Sequence, residues 1–197
     1  MKTAGAKAKG RRLQVLTAEI IAREYSLTIE AHPPVPVGER QGVLYVREDE
    51  NPDLRVRGSS EPGADVVLVT ERARSCLCAP RGESFHIECK NVEEIGLGPK
   101  FWTGLGSAIL DTAYNQALTS GREPLVVLSR NRWPVIGAVG RNVVEDHMLI
   151  YGMPDQLLVQ TYVETKGDNK WMIMMPLVEL VRWLAEMRAA EQRAALL

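Results

Sequence analysis

Three ionisable residues are spaced so that a β-sheet would gather them: Asp65, Glu88 and Lys90. In Phe85-His86-Ile87-Glu88-Cys89-Lys90-Asn91 a strand turns Phe85, Ile87 and Cys89 to one face and His86, Glu88 and Lys90 to the other. The apolar face belongs to a core, and a carboxylate and an ammonium on the opposite face of a half-buried strand mark a site. Asp65 opens the β-branched run Ala64-Asp65-Val66-Val67-Leu68-Val69, which reads as a central strand. Strands joined through a turn region at 70–83 pair antiparallel, and that pairing brings Asp65 to the level of Glu88 and Lys90. Two converging carboxylates with room for water suit a hard cation, Mg²⁺ or Mn²⁺, and the peptide carbonyl of Cys89 adds a further oxygen. A cation so held polarises a phosphoryl group and lowers the pKa of bound water. The lysine can orient that water, help deprotonate it, or neutralise charge building on the phosphate; the spacing does not choose among these.

The elements that must position this trio follow from periodicity and breakers. Leu13, Leu16, Ile20 and Ile21, with Ala18 and Ala22, recur at helical spacing and predict a first helix over 13–25. Three prolines and two glycines make 31–42 an exposed connection or edge. A short strand is expected at 43–46, a solvated acidic turn at 48–53, and a strand at 54–57 before the loop 58–63. Beyond the Glu88 strand, the glycines and aromatics of 92–106 predict a mobile loop over the site. A helix is expected over 107–120, stopped by Gly121. Strands follow at 124–129 and 135–139, then a short helix near 143–148, strands at 157–163 and 171–175, and a closing helix over 176–195. The apolar stripe Leu177, Leu180, Val181, Leu184 and Met187 of that last helix serves either core packing or a second subunit.

With 197 residues, 45% hydrophobic and 25% charged, the chain has the balance of a single folded domain with decorations, without need of a disulfide or metal staple. No apolar run reaches the roughly 20 residues of a membrane span, and the basic N-terminus lacks the apolar region of a secretory signal, so a cytoplasmic location and no membrane partner are expected. Cys76, Cys78 and Cys89 are an odd count that speaks for reduced thiols. Together with His86 they could supply four zinc ligands, but Cys89 is on the apolar face and the spacing matches no common zinc motif. Lys2, Lys7, Lys9, Arg11 and Arg12 place five positive charges in the first twelve residues with no acid among them. Such an arm lies against phosphates or is simply solvated. There is no glycine-rich phosphate loop, since Gly96-Leu97-Gly98 lacks the rest of the known fingerprints.

Asp65, a gap of 22 residues, and Glu88-Cys89-Lys90 at the end of an apolar strand resemble the Asp…Glu-x-Lys signature of the PD-(D/E)xK nucleases. Lys9-Gly10-Arg11-Arg12-Leu13, Arg57-Gly58-Ser59-Ser60, Gly63-Ala64-Asp65-Val66-Val67 and Ile87-Glu88-Cys89-Lys90-Asn91 resemble, more closely, the small Holliday junction resolvase-like proteins of archaea and phages. The likeness covers residues 7 to 140 and leaves the last third unmatched. It implies an α/β restriction-endonuclease-like core, a central mixed sheet flanked by helices, here with a C-terminal strand-helix extension. It also implies Mg²⁺-dependent hydrolysis of DNA phosphodiesters, at branched or junction DNA, by a homodimer. By position, Asp65 and Glu88 would be metal ligands and Lys90 the catalytic lysine. One position departs from the pattern: where many resolvases carry an acid on the first helix, this chain has Gln14. Glu19 does not replace it, because five residues rotate it about 140° round the helix.

Lys7, Lys9, Arg11, Arg12, Arg57, Ser59, Ser60, Arg130 and Arg132 are the expected DNA-binding set, with Trp133 available to stack. Each has a plainer reading, since serines are common in turns and 130–133 also suits a hairpin tip. Gln14 and Gln116 are accessory candidates. His86 shares the face of Glu88, whereas His32 and His147 have no such company. The alternatives are a nuclease less selective for DNA structure, a catalytically silent DNA-binding or assembly module on the same core, and a coincidental ion pair on an edge strand.

Overall fold

The computed structural model describes residues 4–32, 35–58, 62–79, 84–91, 105–129, 134–140, 143, 145, 159–165 and 168–194, with the backbone alone at 4–7, 105–108, 118, 159–165, 168–171 and 194. Helix α1 spans Ala4–Tyr25. Its inner stripe, Leu13, Gln14, Thr17, Ala18, Ile21 and Ala22, is buried, as the spacing i, i+3, i+4, i+7 requires of a helix laid on a sheet. The helix begins before the apolar periodicity does, because Ala4, Ala6 and Ala8 are strong helix formers that need no buried face. The expected basic arm is therefore helical from Ala4 on. Ser26, at φ 53°, takes the left-handed position that ends the helix.

Among the described residues ten strands form one mixed sheet: β1 Thr28–Glu30, β2 Gly38–Arg40, β3 Val43–Val46, β4 Leu54–Val56, β5 Val66–Leu68, β6 Phe85–Asn91, β7 Glu123–Ser129, β8 Ile136–Gly140, β9 Val159–Thr165 and β10 Asp168–Pro176. Their order across the sheet is β2-β3-β1-β4-β5-β6-β7-β8-β10-β9. Strands β4, β5 and β6 run antiparallel in succession, and β6 and β7 run parallel. That parallel pair needs a crossover, supplied by helix α3, Leu105–Thr119. Strands β7, β8, β10 and β9 are joined antiparallel. The C-terminal strands thus continue the same sheet. The six-residue helix α2, Glu71–Cys76, is capped by Thr70, whose hydroxyl accepts from Ala73 N. It lies in the segment read as a turn region.

Two cores lie on the two faces. Leu13, Ile21, Val66, Phe85, Ile87, Leu125 and Val127 belong to the core beneath α1 and the last helix, α4, Leu177–Ala194. Leu110, Ala113, Tyr114, Val126, Leu128, Ala138, Met172 and Met174 form the second, beneath α3. The alternation along β7 divides one strand between both cores. The apolar stripe of α4 is buried in the first core, so it packs within the chain. Gly137 permits this: a Cβ there would lie 2.5 Å from Leu180 Cδ2 and 3.0 Å from Leu177 Cδ1. The two helices of that face meet directly, with Tyr25 Oη donating to Val181 O at 3.3 Å and Arg182 Nε 3.7 Å from Glu24 Oε2. No helix among the described residues is long and apolar enough to cross a membrane.

The acidic turn differs from expectation. A 3₁₀ turn spans Glu48–Glu50, but Asp53 beyond it is buried rather than solvated. Thr28 N donates to its Oδ2 at 3.0 Å and Thr70 Oγ1 to its Oδ1 at 2.5 Å. Strand β1 supplies one of these donors and the α2 cap the other, so a local reading of 48–53 contains neither. The loop expected at 92–106 lies outside the described residues except for 105 and 106, which open α3. The turn at 130–133 lies outside them entirely.

Candidate active site

Val66 pairs with Ile87 in antiparallel register, which sets Asp65, just before β5, against Glu88 in the middle of β6. The ladder changes character there. Asp65 N donates to Ile87 O at 2.9 Å, and the Asp65 carboxylate then reaches across to accept from Cys89 N at 2.7 Å. A side chain thus takes the place of the next main-chain acceptor, locking the carboxylate to the backbone of the residue just before Lys90. The other oxygen, Oδ1, accepts from Gln14 Nε2 at 2.6 Å. Helix α1 therefore meets the site through an amide where the resembled proteins carry an acid.

Glu88 is 6% exposed. Lys90 Nζ donates to its Oε1 at 2.5 Å. The second oxygen, Oε2, is buried without a hydrogen-bond partner, and so is His86 Nε2, 3.5 Å away; that separation is too long for a hydrogen bond of ordinary strength. On its far side His86 Nδ1 lies 3.2 Å from Ser120 Oγ, just past α3. Cys89 points to the opposite face, its thiol 3.5 Å from Thr17 Oγ1. The four-ligand zinc set is thereby excluded, because His86 and Cys89 lie on opposite faces of one strand.

The two carboxyls are perturbed in opposite directions. Burial pushes Asp65 up and the charge of Glu88 adds to it, and the hydrogen bond from Cys89, the ammonium of Lys90 and the amide of Gln14 only partly offset this. Burial also acts to raise Glu88, but His86 and Lys90 outweigh it and hold the carboxyl below its usual range. Burial raises the Cys89 thiol well above the ordinary cysteine range, which disfavours the thiolate.

An elevated Asp65 beside an ionised Glu88 with an unpartnered oxygen is a site short of positive charge, and its hard oxygen donors fit Mg²⁺ or Mn²⁺. Among the described residues, no group of three or more His, Cys, Asp or Glu side chains is arranged to hold a metal ion. A cation at Asp65 and Glu88 would therefore take most of its shell from the Cys89 carbonyl, water and substrate.

The other expected site residues are distributed unevenly. Arg11 Nη1 donates to Val56 O at 2.9 Å and to Arg57 O at 2.6 Å, pinning α1 to the end of β4 beside Asp65. Its guanidinium is engaged in structure at this nitrogen. The half-buried Arg57 guanidinium packs on Gly63, where a Cβ would collide with it. Lys9 and Arg12 are exposed on the turn of α1 that precedes Gln14. Gln116 is exposed on α3, apart from the Ala113, Tyr114 and Ala117 that pack inward. Ser59, Ser60, Arg130, Arg132 and Trp133, and the side chain of Lys7, lie outside the described residues. Ser120 was not legible as a site neighbour; its only signal is that it follows a helix whose strand partner carries His86.

Comparison of the chain with protein-family models, curated proteins and solved structures finds no match in any of the three.

Proposed function

We propose that this protein is a metal-dependent endonuclease that hydrolyses DNA phosphodiester bonds on a restriction-endonuclease-like core, with branched or junction DNA as its substrate. The observation that carries the proposal is the juxtaposition of Asp65 and Glu88 across one antiparallel strand pair, with Lys90 on Glu88. The chain order of α1, three antiparallel strands β4 to β6, a crossover helix and a parallel β7 supports it, since it delivers the acid, the acid and the lysine to one end of the sheet.

Asp65, Glu88 and the Cys89 carbonyl would hold Mg²⁺, with Mn²⁺ able to substitute. When bound, the ion supplies Lewis-acid polarisation of the phosphoryl oxygen and a more acidic water. Gln14 and Cys89 N fix the rotamer of Asp65, so its position does not depend on the ligand. Lys90, held by Glu88, places a cation beside the reacting phosphate, where it offsets developing negative charge. Lys9 and Arg12 present charge at the same end of the sheet, where phosphates of the duplex approach.

The test is cleavage of labelled four-way junction, matched linear duplex and single strand, in Mg²⁺ and in EDTA, with Glu88→Ala and Lys90→Ala alongside. Symmetric cuts in the junction alone, absent in EDTA and in both variants, are expected. Cutting of all three DNAs would retain the nuclease and remove its junction selectivity. Binding that weakens with salt, without cutting, would instead favour a silent DNA-binding module, a reading that the neutral amide of Gln14 at Asp65 makes the second choice.

A further inference from the structure

Three polar side chains of α1 stand three residues apart, Arg11, Gln14 and Thr17, and each meets a different strand. Arg11 Nη1 donates to Val56 O and Arg57 O at the end of β4, at 2.9 and 2.6 Å. Gln14 Nε2 donates to Asp65 Oδ1, just before β5, at 2.6 Å. Thr17 Oγ1 accepts from the Cys89 thiol on β6 at 3.5 Å. The spacing has a physical origin: three residues of helix rise about 4.5 Å and complete most of a turn, while neighbouring strands lie about 4.8 Å apart. One side of the helix therefore steps across β4, β5 and β6, neighbours in that order, with one contact to a strand. Burial deepens along the line, Arg11 being half-buried, Gln14 8% and Thr17 0% exposed.

The first two contacts close a ring about Asp65. Arg57 N donates to Asp65 O at 3.0 Å, so the residue whose carbonyl Arg11 holds is itself bonded to Asp65. The Asp65 carboxylate returns to Gln14, one turn along the helix from Arg11. We infer that Arg11 is a positioning residue for the Asp65 carboxylate and not a DNA contact. Both protons of its Nη1 go to main-chain acceptors. The clamp fixes how α1 stands on the end of β4, and that decides where the Gln14 amide meets Oδ1. The inference rests on the reading of Asp65 as a metal ligand. It takes Arg11 out of the phosphate-binding set, in which charge and position alone group it with Lys9 and Arg12, and leaves those two exposed cations to meet the substrate.

The test compares Arg11→Met, Gln14→Leu, their double variant and, as a phosphate-contact control, Arg12→Met, at a temperature where all are folded. Without DNA, Mn²⁺ affinity is read from the electron paramagnetic resonance of the free ion. It is expected to fall by about tenfold in Arg11→Met and in Gln14→Leu. In the double variant the fall should again be about tenfold, not about a hundredfold, because both residues act through one carboxylate. In EDTA, the log–log salt slope of four-way junction binding should drop by about 0.9 in Arg12→Met and stay at the wild-type value in Arg11→Met. The Arg11 guanidinium resonances of the wild type should not move when that DNA is added, a reading that needs no variant to fold. Losses that multiply in the double variant, an unchanged Mn²⁺ affinity in Arg11→Met, or Arg11 resonances that shift on DNA would each overturn the positioning role. Junction cutting by the wild type with multiplying losses removes this inference and leaves the nuclease. Losses that do not multiply, with no DNA cut by the wild type, uphold Arg11 and remove the nuclease. A wild type that binds no Mn²⁺ removes both.

Discussion

Asp53 and Asp65 precede neighbouring antiparallel strands, β4 and β5, and so sit at opposite ends of the same pair. Asp53 is surrounded by donors: Thr28 N and Oγ1, Thr70 Oγ1, and Arg72 Nη1 at 3.5 Å. Burial acts to raise its pKa, but these partners outweigh it and hold it below the usual carboxylate range. Asp65 has two neutral donors and a charged carboxylate beside it, and it is raised. Burial acts to raise both acids; it prevails at Asp65, the acid proposed to function, and is outweighed by the partners of Asp53. The difference lies in whether the surrounding groups already satisfy its charge.

The comparison breaks most visibly in activity. Glu88→Ala or Lys90→Ala should lower DNA cleavage by about a thousandfold or more, the range for loss of an electrostatic or acid–base group. Asp53→Ala should leave the rate per folded molecule unchanged. Equal losses at both ends of the strand pair, measured at a temperature where all variants are folded, would erase the distinction.

The next effect is on stability. Asp53→Ala leaves the Thr28 and Thr70 donors without their acceptor and should cost about 3 kcal/mol, lowering Tm by roughly 5–10 °C. Acid unfolding sharpens this. Because the folded pKa of Asp53 is depressed, its stabilisation is fully present above the ordinary aspartate range and is lost as pH falls through the folded value. Asp53→Asn should flatten the fall of stability on the acid side, as read by urea unfolding at successive pH values. An unchanged acid slope would place the linkage elsewhere.

The smallest expected effect has the opposite sign. Asp65→Asn removes a charge that the fold disfavours, and the Gln14 amide can turn to present its oxygen. In EDTA at neutral pH the variant should melt no lower than the wild type and up to a few degrees higher, by calorimetry. A large drop in Tm would make Asp65 a structural acid like Asp53.

The periodicity of 13–25 and the alternation of 85–91 carried the helix and the strand that build the site, because each pattern is local and each has one buried face. The parity that placed His86 with Glu88 and Cys89 with the core is what the structure has. The edge reading of 31–42 matches β2, at the sheet margin. Other parts were not legible. Strand β1 has three residues and pairs in parallel with β3 and β4, so its hydrogen bonds are made with segments that no local pattern connects. Helix α2 is one capped turn and a half, too short for an apolar stripe. Asp53 looked solvated because its donors come from 25 and 17 residues away. The Ser120–His86 contact spans 34 residues, a pairing that only the crossover through α3 creates. The alternation that fixed the carboxylates could say nothing of Gln14, the partner that α1 brings to Asp65.

The contact between α1 and α4 has a consequence for biosynthesis. Tyr25 and Val181 meet across 156 residues of chain, so the last helix reaches the first only when the chain is nearly complete. At about 5–20 residues per second, roughly 10–30 s separate the two helices on the ribosome. During that time the contacts that α1 makes with α4 stay unmade, so this face of the first core closes last.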